Sequence, residues 1–137
     1  MTVIADTGAL YALADRSDRW HESVSEWWSA SRPSIIVPVT VLPEVTYLIA
    51  SRLGAQAEIA FVRSVVEGEL PTEPLEPEDI ARAVALMNKY ADLPLGFVDA
   101  TVVAIAERLE TRDVLTTDRR HFAVIKPANG KRLLLHP

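Results

Sequence analysis

Four acidic residues have the types and placement needed for shared chemistry, because each follows an apolar run or begins an apolar helix. They are Asp6, Glu44, Asp99 and Asp118, in the segments VIAD, VTVLPEV, LGFVDATVVAIA and VLTTDRRHF. Carboxylates that converge raise one another's pKa unless a cation lies between them. The pattern therefore predicts a divalent-metal site. Since there is no thiolate and no histidine pair at ligand spacing, we expect Mg²⁺ or Mn²⁺ rather than zinc.

Length and composition predict one domain over residues 1–137. The chain is 49% hydrophobic and 24% charged, which suits a globular domain that buries a sizeable core. It has no cysteine, which excludes a disulfide scaffold, a thiolate zinc site and a cysteine nucleophile, and which is compatible with a cytoplasmic location. The net charge of −5 argues against a broad basic face, although a local positive rim around an acidic pocket is compatible with it.

No part of the sequence predicts a membrane segment or an export signal. No apolar run approaches the roughly 18 residues that a membrane-spanning helix needs. The N-terminal apolar stretch has no preceding basic residues and is interrupted by Asp6. We therefore expect a soluble protein whose N-terminus is part of the fold.

Strand-like and helix-like segments alternate along the chain. Apolar runs predict strands at 3–5, 35–38 and 114–116, and one or two more at 122–125 and 133–135 around an Asn-Gly turn. Apolar residues at helical spacing predict helices after Asp6, after a cap at Ser17-Asp18, after a cap at Thr40, and over 56–67, 80–90 and 98–109. The proline-rich segment 69–78 is predicted to be a connection within the domain.

This alternation favours an α/β fold with a largely parallel sheet, whose ligand crevice lies outside the carboxyl ends of the strands. Asp6 and Asp118 follow two such ends, and Glu44 lies about one turn into a helix. Asp99 begins a helix, where the helix dipole should favour its ionised form. All four acids are predicted to share one pocket, and a metal site of this kind suits phosphodiester hydrolysis.

Each acid also has a purely structural interpretation. Asp6 alone is at least as well explained as the cap of the next helix, and Asp118 as the cap of a short turn over 119–122. Glu44 fits a solvated helix position, and Asp99 an ordinary acid in a first helical turn. The four interpretations would have to coincide, which favours the metal site. For Asp92 the structural role is favoured, at the end of a helix before a proline.

The segments DTGALYAL, VLPEV, LGFVDATVVAIAERL and VLTTDRRHF together resemble PIN-domain proteins, and most of all the VapC-type ribonuclease toxins. The resemblance implies a three-layer α/β/α sandwich with a central, mostly parallel sheet, and a metal-dependent endoribonuclease. It also implies a homodimer and a VapB-like antitoxin partner. Asp6, Glu44, Asp99 and Asp118 take the places of the four family acids.

Other polar and aromatic residues are assigned less directly. Thr7 and Thr116 resemble the hydroxyl positions beside the family's metal site, where they would orient a carboxylate or a water. Arg119, Arg120 and His121 are candidates for contacts with RNA phosphates, although solvated surface charge explains each one alone. No histidine has the neighbours of a general base. Trp20 is predicted to pack in the core, while Trp28 fits either the core or a groove for a partner.

Two other functions compete with the ribonuclease. A haloacid-dehalogenase-like phosphatase also places an aspartate after its first strand, but it needs a second acid two positions later, where this chain has Gly8. The stronger rival is a catalytically inactive PIN-like module that binds RNA or serves as a scaffold. Metal-dependent cleavage of RNA distinguishes the enzyme from that module.

Overall fold

Short apolar runs bounded by polar turns form a five-stranded sheet in the computed structural model, which describes residues 1–137. The strands are β1 (Thr2–Ala5), β2 (Ser34–Pro38), β3 (Thr72–Glu73), β4 (Asp113–Leu115) and β5 (Leu134–His136). Their spatial order is β3-β2-β1-β4-β5, and every neighbouring pair is parallel. The predicted, largely parallel sheet is therefore confirmed.

Seven helices connect the strands or lie between them. They are α1 (Thr7–Ala14), α2 (His21–Ser31), α3 (Val41–Leu53), α4 (Ala55–Val66), α5 (Pro77–Lys89), α6 (Phe97–Arg108) and α7 (Arg119–Val124). The helix α6 is buried over most of its length because its apolar residues cover a wide arc rather than one stripe.

The order of the strands separates the helices into two layers. From β1 the chain moves outward through β2 to β3, and then returns to the other side of β1 for β4 and β5. Since crossovers between parallel strands are right-handed, α1 to α4 lie on one face of the sheet and α5 to α7 on the other. The contacts agree, because α1 packs on α2 and α3, α3 packs on α4, and α5 packs on α6. The three-layer α/β/α sandwich is confirmed.

The reversal of direction between β1 and β4 creates a crevice at the carboxyl edge of the sheet. The two strands are hydrogen-bonded neighbours, but their following connections leave in opposite directions. Such a switch point is where open parallel sheets bind ligands. Asp6 directly follows β1, and Asp118 lies in the loop after β4. Below this edge the two central strands are buried, with Val3, Ile4 and Val114 inaccessible to solvent.

The predicted strand at 122–125 is wrong, because these residues belong to α7 and its end. Phe122 and Ile125 are buried, whereas Ala123 and Val124 between them are exposed. Burial at a spacing of three is a helical pattern, which a run of four apolar residues does not reveal by itself. The turn at Asn129-Gly130 is present, but it separates α7 from β5 rather than two strands.

The structure refines three further expectations. The connection 69–78 contains the edge strand β3, which tolerates its flanking prolines because only one of its sides is paired. The helix α2 begins at His21, and Asp18 instead accepts a hydrogen bond from the Trp20 amide at 2.8 Å. Thr40 precedes α3 as predicted, but its side chain makes no capping bond.

No helix in the structure combines the length and the apolar character required to cross a bilayer.

Candidate active site

Asp6 occupies the centre of the carboxyl edge and is 5% exposed. Its Oδ1 accepts a hydrogen bond from the Ala9 amide at 2.9 Å, so Asp6 does cap α1, as its structural interpretation proposed. Its Oδ2 accepts a hydrogen bond from the hydroxyl of Thr116. Burial raises its pKa to about 7, the charges of Asp99 and Asp118 act in the same direction, and the two hydrogen bonds partly offset this rise.

Thr116 links the ends of the two central strands. It lies directly after β4, is 1% exposed, and accepts a hydrogen bond from the Asp118 amide at 2.9 Å while donating to Asp6. The loop after β4 also presses against the first turn of α1. A Cβ added to Gly8 would lie 2.5 Å from the Thr117 hydroxyl oxygen, so the space beside Asp6 favours glycine at position 8.

Glu44 reaches the same edge from the other side of β1. It lies in the first turn of α3, which follows β2, and its Oε1 accepts a hydrogen bond from the Thr7 hydroxyl at 2.5 Å. Thr7 begins α1 directly after Asp6. Although Glu44 is exposed, it is therefore held beside Asp6. Thr7 and Thr116 each orient one of the acids, which is the contact that the sequence predicts for them.

Asp99 lies in the first turn of α6, as predicted, but its ionisation differs from the expectation. The helix dipole was expected to favour its charged form, whereas the pKa of Asp99 is raised. Burial is the largest cause, followed by the negative charges of Glu44 and Asp118, while His121 acts in the opposite direction. Desolvation and two neighbouring carboxylates therefore outweigh the dipole at this position.

His121 is a member of the cluster that the sequence did not place there. Its Nδ1 lies 2.9 Å from Asp118 Oδ2 and 4.0 Å from Asp99 Oδ2. The Nδ1 atom is buried but is not aligned for a hydrogen bond with either acid. Asp118 does not cap α7 with its side chain, because its carboxylate faces His121 instead. The available signal is the spacing of three residues between Asp118 and His121. It brings the two side chains together only if the segment after Asp118 is predicted as a helix.

The donor chemistry of the cluster fits a hard divalent cation. Asp6, Glu44, Asp99 and Asp118 supply only carboxylate oxygens, and the influence of Asp99 and Asp118 on the pKa of Asp6 shows that these charges lie within reach of one another. The side chains are not arranged as a complete site, because no group of three or more acids or histidines lies at positions that would hold one ion. The hydroxyls of Thr7 and Thr116 donate hydrogen bonds to carboxylate oxygens of Glu44 and Asp6, and a bound cation would contact these same carboxylates.

The remaining candidate residues lie around this cluster or away from it. Asp92 is exposed in the turn after α5 and is not among the charges that act on Asp6 or Asp99. Arg119 and Arg120 are exposed at the start of α7, directly after Asp118. Trp20 and Trp28 are both partly buried and pack against the core.

Comparison of the whole sequence with known proteins identifies the family of this chain. A model of the PIN domain matches residues 3–126. The chain belongs to the PIN-domain family. The chain is also 36% identical to Ribonuclease VapC26 of Mycobacterium tuberculosis over 135 residues, which cover 98% of this chain and all of that relative. The predicted resemblance to VapC-type PIN-domain proteins is therefore confirmed.

Solved structures share the same fold. VapC20 of M. tuberculosis, a toxin that cleaves the sarcin-ricin loop, superposes with a TM-score of 0.80 over 86% of this chain and 91% of its own, at 20% identity. VapBC2 from Rickettsia felis, solved with a DNA fragment from its promoter, superposes with a TM-score of 0.69 over 99% of this chain and 98% of its own, at 14% identity. At these identities the comparison supports the fold of this PIN-domain chain and nothing further.

Proposed function

We propose that this PIN-domain protein is a Mg²⁺- or Mn²⁺-dependent endoribonuclease that hydrolyses RNA phosphodiester bonds as the toxin of a VapBC-type pair. The observation that carries the proposal is the acidic cluster at the switch point between β1 and β4. There the pKa values of Asp6 and Asp99 are raised by burial and by neighbouring carboxylates. Perturbed acids that converge in a crevice are typical of functional sites.

The four acids would hold the cation, with Asp6 as the buried central ligand and Glu44, Asp99 and Asp118 around it. When bound, a divalent ion would supply Lewis acidity and offset the charge that develops on phosphodiester oxygens. The chain's own part is to fix the carboxylates. Thr116 orients Asp6 and Thr7 orients Glu44, and both hydrogen bonds restrict the rotation of the acid that accepts them.

RNA is proposed as the substrate because VapC26, the full-length relative at 36% identity, is a ribonuclease. The acidic cluster by itself does not distinguish RNA from DNA, because the phosphodiester groups of both carry the same charge. Arg120 extends the proposal, because this exposed residue lies two positions after Asp118 and provides positive charge near an acidic pocket. Arg119 is also exposed, but its guanidinium donates a hydrogen bond to the Pro137 carbonyl oxygen.

A VapB-like antitoxin, a homodimer and a cytoplasmic location complete the proposal. Toxin–antitoxin complexes are among the solved structures with this fold, including one from Klebsiella pneumoniae with a TM-score of 0.67 at 20% identity. The helix α4 has no buried residue and exposes Ile59, Val62 and Val66, the last by 81%. Exposed apolar side chains in one row are typical of surfaces that contact another protein.

The test is cleavage of a broad panel of single-stranded and loop RNAs by the purified full-length chain. We expect cutting with Mg²⁺ or Mn²⁺, none with excess chelator, and a loss of at least about 100-fold in Asp6→Asn and Asp99→Asn, because each variant removes a charged ligand. Asp92→Asn is the matched control, since it removes an exposed aspartate outside the cluster.

The competing function is an inactive PIN-like module that binds RNA or serves as a scaffold. It is favoured by one observation, the absence of three acids or histidines arranged to hold one ion. RNA binding by the wild type without metal-dependent cutting on the whole panel would replace the enzymatic proposal with this one. Cutting that persists equally in Asp6→Asn would reject the assigned site.

A further inference from the structure

A single hydroxyl interrupts the buried part of α6. Among residues 100–106, which are all buried, only Thr101 is polar, and its side chain is completely inaccessible to solvent. A buried hydroxyl is unfavourable unless it forms hydrogen bonds. Thr101 forms two contacts, one with the Val98 carbonyl at 2.6 Å and one with the hydroxyl of Thr40 at 2.7 Å.

The direction of these bonds follows from the number of protons. Thr101 has one hydroxyl proton, which it donates to the carbonyl of Val98, so it must accept the proton of Thr40. This explains why Thr40 does not cap its own helix, although it stands directly before α3. The hydroxyl of Thr40 instead connects the start of α3 with the start of α6.

The connection crosses between the two helical layers. Since α3 lies on one face of the sheet and α6 on the other, Thr40, directly before α3, and Thr101, in the second turn of α6, meet over the carboxyl edge. Glu44 is in the first turn of α3 and Asp99 is in the first turn of α6. Two ionised carboxylates on these turns repel one another, and this repulsion tends to separate the helix ends that the Thr40–Thr101 bond holds together.

We propose that the Thr40–Thr101 hydrogen bond sets the separation of Glu44 and Asp99, so that both threonines are positioning residues for the cation site. The inference rests on the proposed function, because it assumes that these acids bind a divalent ion. Neither threonine contacts the ion in this role. They act on its affinity by holding the two helix ends at a fixed distance before the ion arrives.

The experiment measures Mn²⁺ affinity of the full-length protein by calorimetry, without RNA. Thr101→Val and Thr40→Val keep the shape of the side chain but remove the hydroxyl. We expect each to weaken Mn²⁺ binding about tenfold, as is typical when a group that supports metal ligands is removed. Thr101→Ser keeps the hydroxyl and should restore most of the affinity. The double valine variant should lose little more than either single variant, because both remove the same bond.

The matched control is Thr46→Val. The hydroxyl of Thr46 is also on α3, but it donates to the Leu42 carbonyl of its own helix at 2.7 Å. Its removal should leave the Mn²⁺ affinity unchanged. If Thr101→Val fails to fold, Thr40→Val tests the same bond from its partly exposed side.

Two failures have different meanings. No Mn²⁺ binding by the wild type contradicts the proposed function itself. Wild-type binding with unchanged affinity in both valine variants overturns only the positioning role, and an equal fall of Tm with and without Mn²⁺ would then assign the bond to stability alone.

Discussion

Asp6 and Asp79 are both buried carboxylates, but their surroundings are opposite. Asp79, 2% exposed, receives two hydrogen bonds from the Arg108 guanidinium at 3.0 and 3.1 Å and one from the Glu76 amide at 2.9 Å. Arg108 also pairs with Glu73 at 2.8 Å, and these bonds raise its pKa further above its usual range. Asp6, 5% exposed, has no cation beside it.

The difference separates an acid that the chain compensates from an acid that we propose as a metal ligand. The cluster around Asp79 is compensated within the chain, and it joins the start of α5, the end of α6 and the edge strand β3. The cluster around Asp6 gathers four carboxylates, and His121, beside Asp118 and Asp99, is the one group of the chain that opposes their charge. No cationic group lowers the pKa of Asp6 itself, so its ionised form needs a positive charge from outside the chain. An acid of this second kind is retained at the cost of stability, which is typical of binding and catalytic sites.

The largest expected effect is the pH dependence that Asp6 gives to stability. Its pKa of about 7 in the folded state exceeds its ordinary value of 3.8, so the folded state holds a proton that the unfolded state releases. Stability should therefore fall as the pH rises from about 4 to about 7, by on the order of 4 kcal/mol. Asp6→Asn should lack this fall and be the more stable protein at pH 8.

Urea unfolding of both proteins at pH 5 and pH 8, in the presence of chelator, measures this difference. Mn²⁺ should stabilise the wild type at pH 8 but not the variant, because the cation favours the ionised carboxylate. If the free energy of unfolding changes by the same amount between pH 5 and pH 8 in both proteins, Asp6 is compensated within the chain, as Asp79 is.

Asp79→Ala provides the opposite test on the compensated cluster. The change leaves Glu73 as the only acidic partner of the partly buried Arg108 and removes the side-chain bond to the Glu76 amide. We expect a loss of about 3 kcal/mol in the free energy of unfolding, because breaking a buried ion pair leaves a charge without its partner. Mn²⁺ affinity should not change. Glu78→Ala, at the exposed neighbouring position, is the control, and weakened Mn²⁺ binding in Asp79→Ala would connect the two clusters.

Thr116→Val sharpens the comparison at Asp6 itself. The Thr116 hydroxyl is the strongest of the two interactions that lower the pKa of Asp6, so its removal should raise that pKa further. Since a metal ion binds the ionised acid, the pH at which half the protein binds Mn²⁺ should rise by about one unit. Thr116→Ser should retain the wild-type midpoint. An unchanged midpoint in the valine variant would mean that Thr116 does not control the ionisation of Asp6.

Arg82→Gln should have the smallest effect. Arg82 pairs with Glu107 at 2.9 Å, but a third of its side chain is exposed. A pair open to solvent contributes little, so we expect less than about 1 kcal/mol of destabilisation, decreasing further in high salt. Thermal unfolding at two salt concentrations measures it. A loss of stability as large as that of Asp79→Ala would mean that the Arg82–Glu107 pair belongs to the compensated cluster around Asp79.

Periodicity and flanking turns predicted most of the fold. Apolar runs before Asp6 and around Val37 and Val114 gave the three central strands, because continuous apolar runs between helices are typical of strands buried on both faces. The same reasoning failed at Phe122, where four apolar residues fit a strand or a helix equally well. It also missed β3, since two residues between prolines carry no periodic signal and are defined only by their pairing with Val37 and Pro38.

The sequence by itself determined the types of the acids and their positions on the elements, since strand ends and helix starts are local features. Only the tertiary structure decided which charges act on one another. The raised pKa values of Asp6 and Asp99, the position of His121 and the Thr40–Thr101 bond depend on crossovers that join distant segments. Burial and Coulomb interactions depend on distance in space, which separation along the chain does not specify.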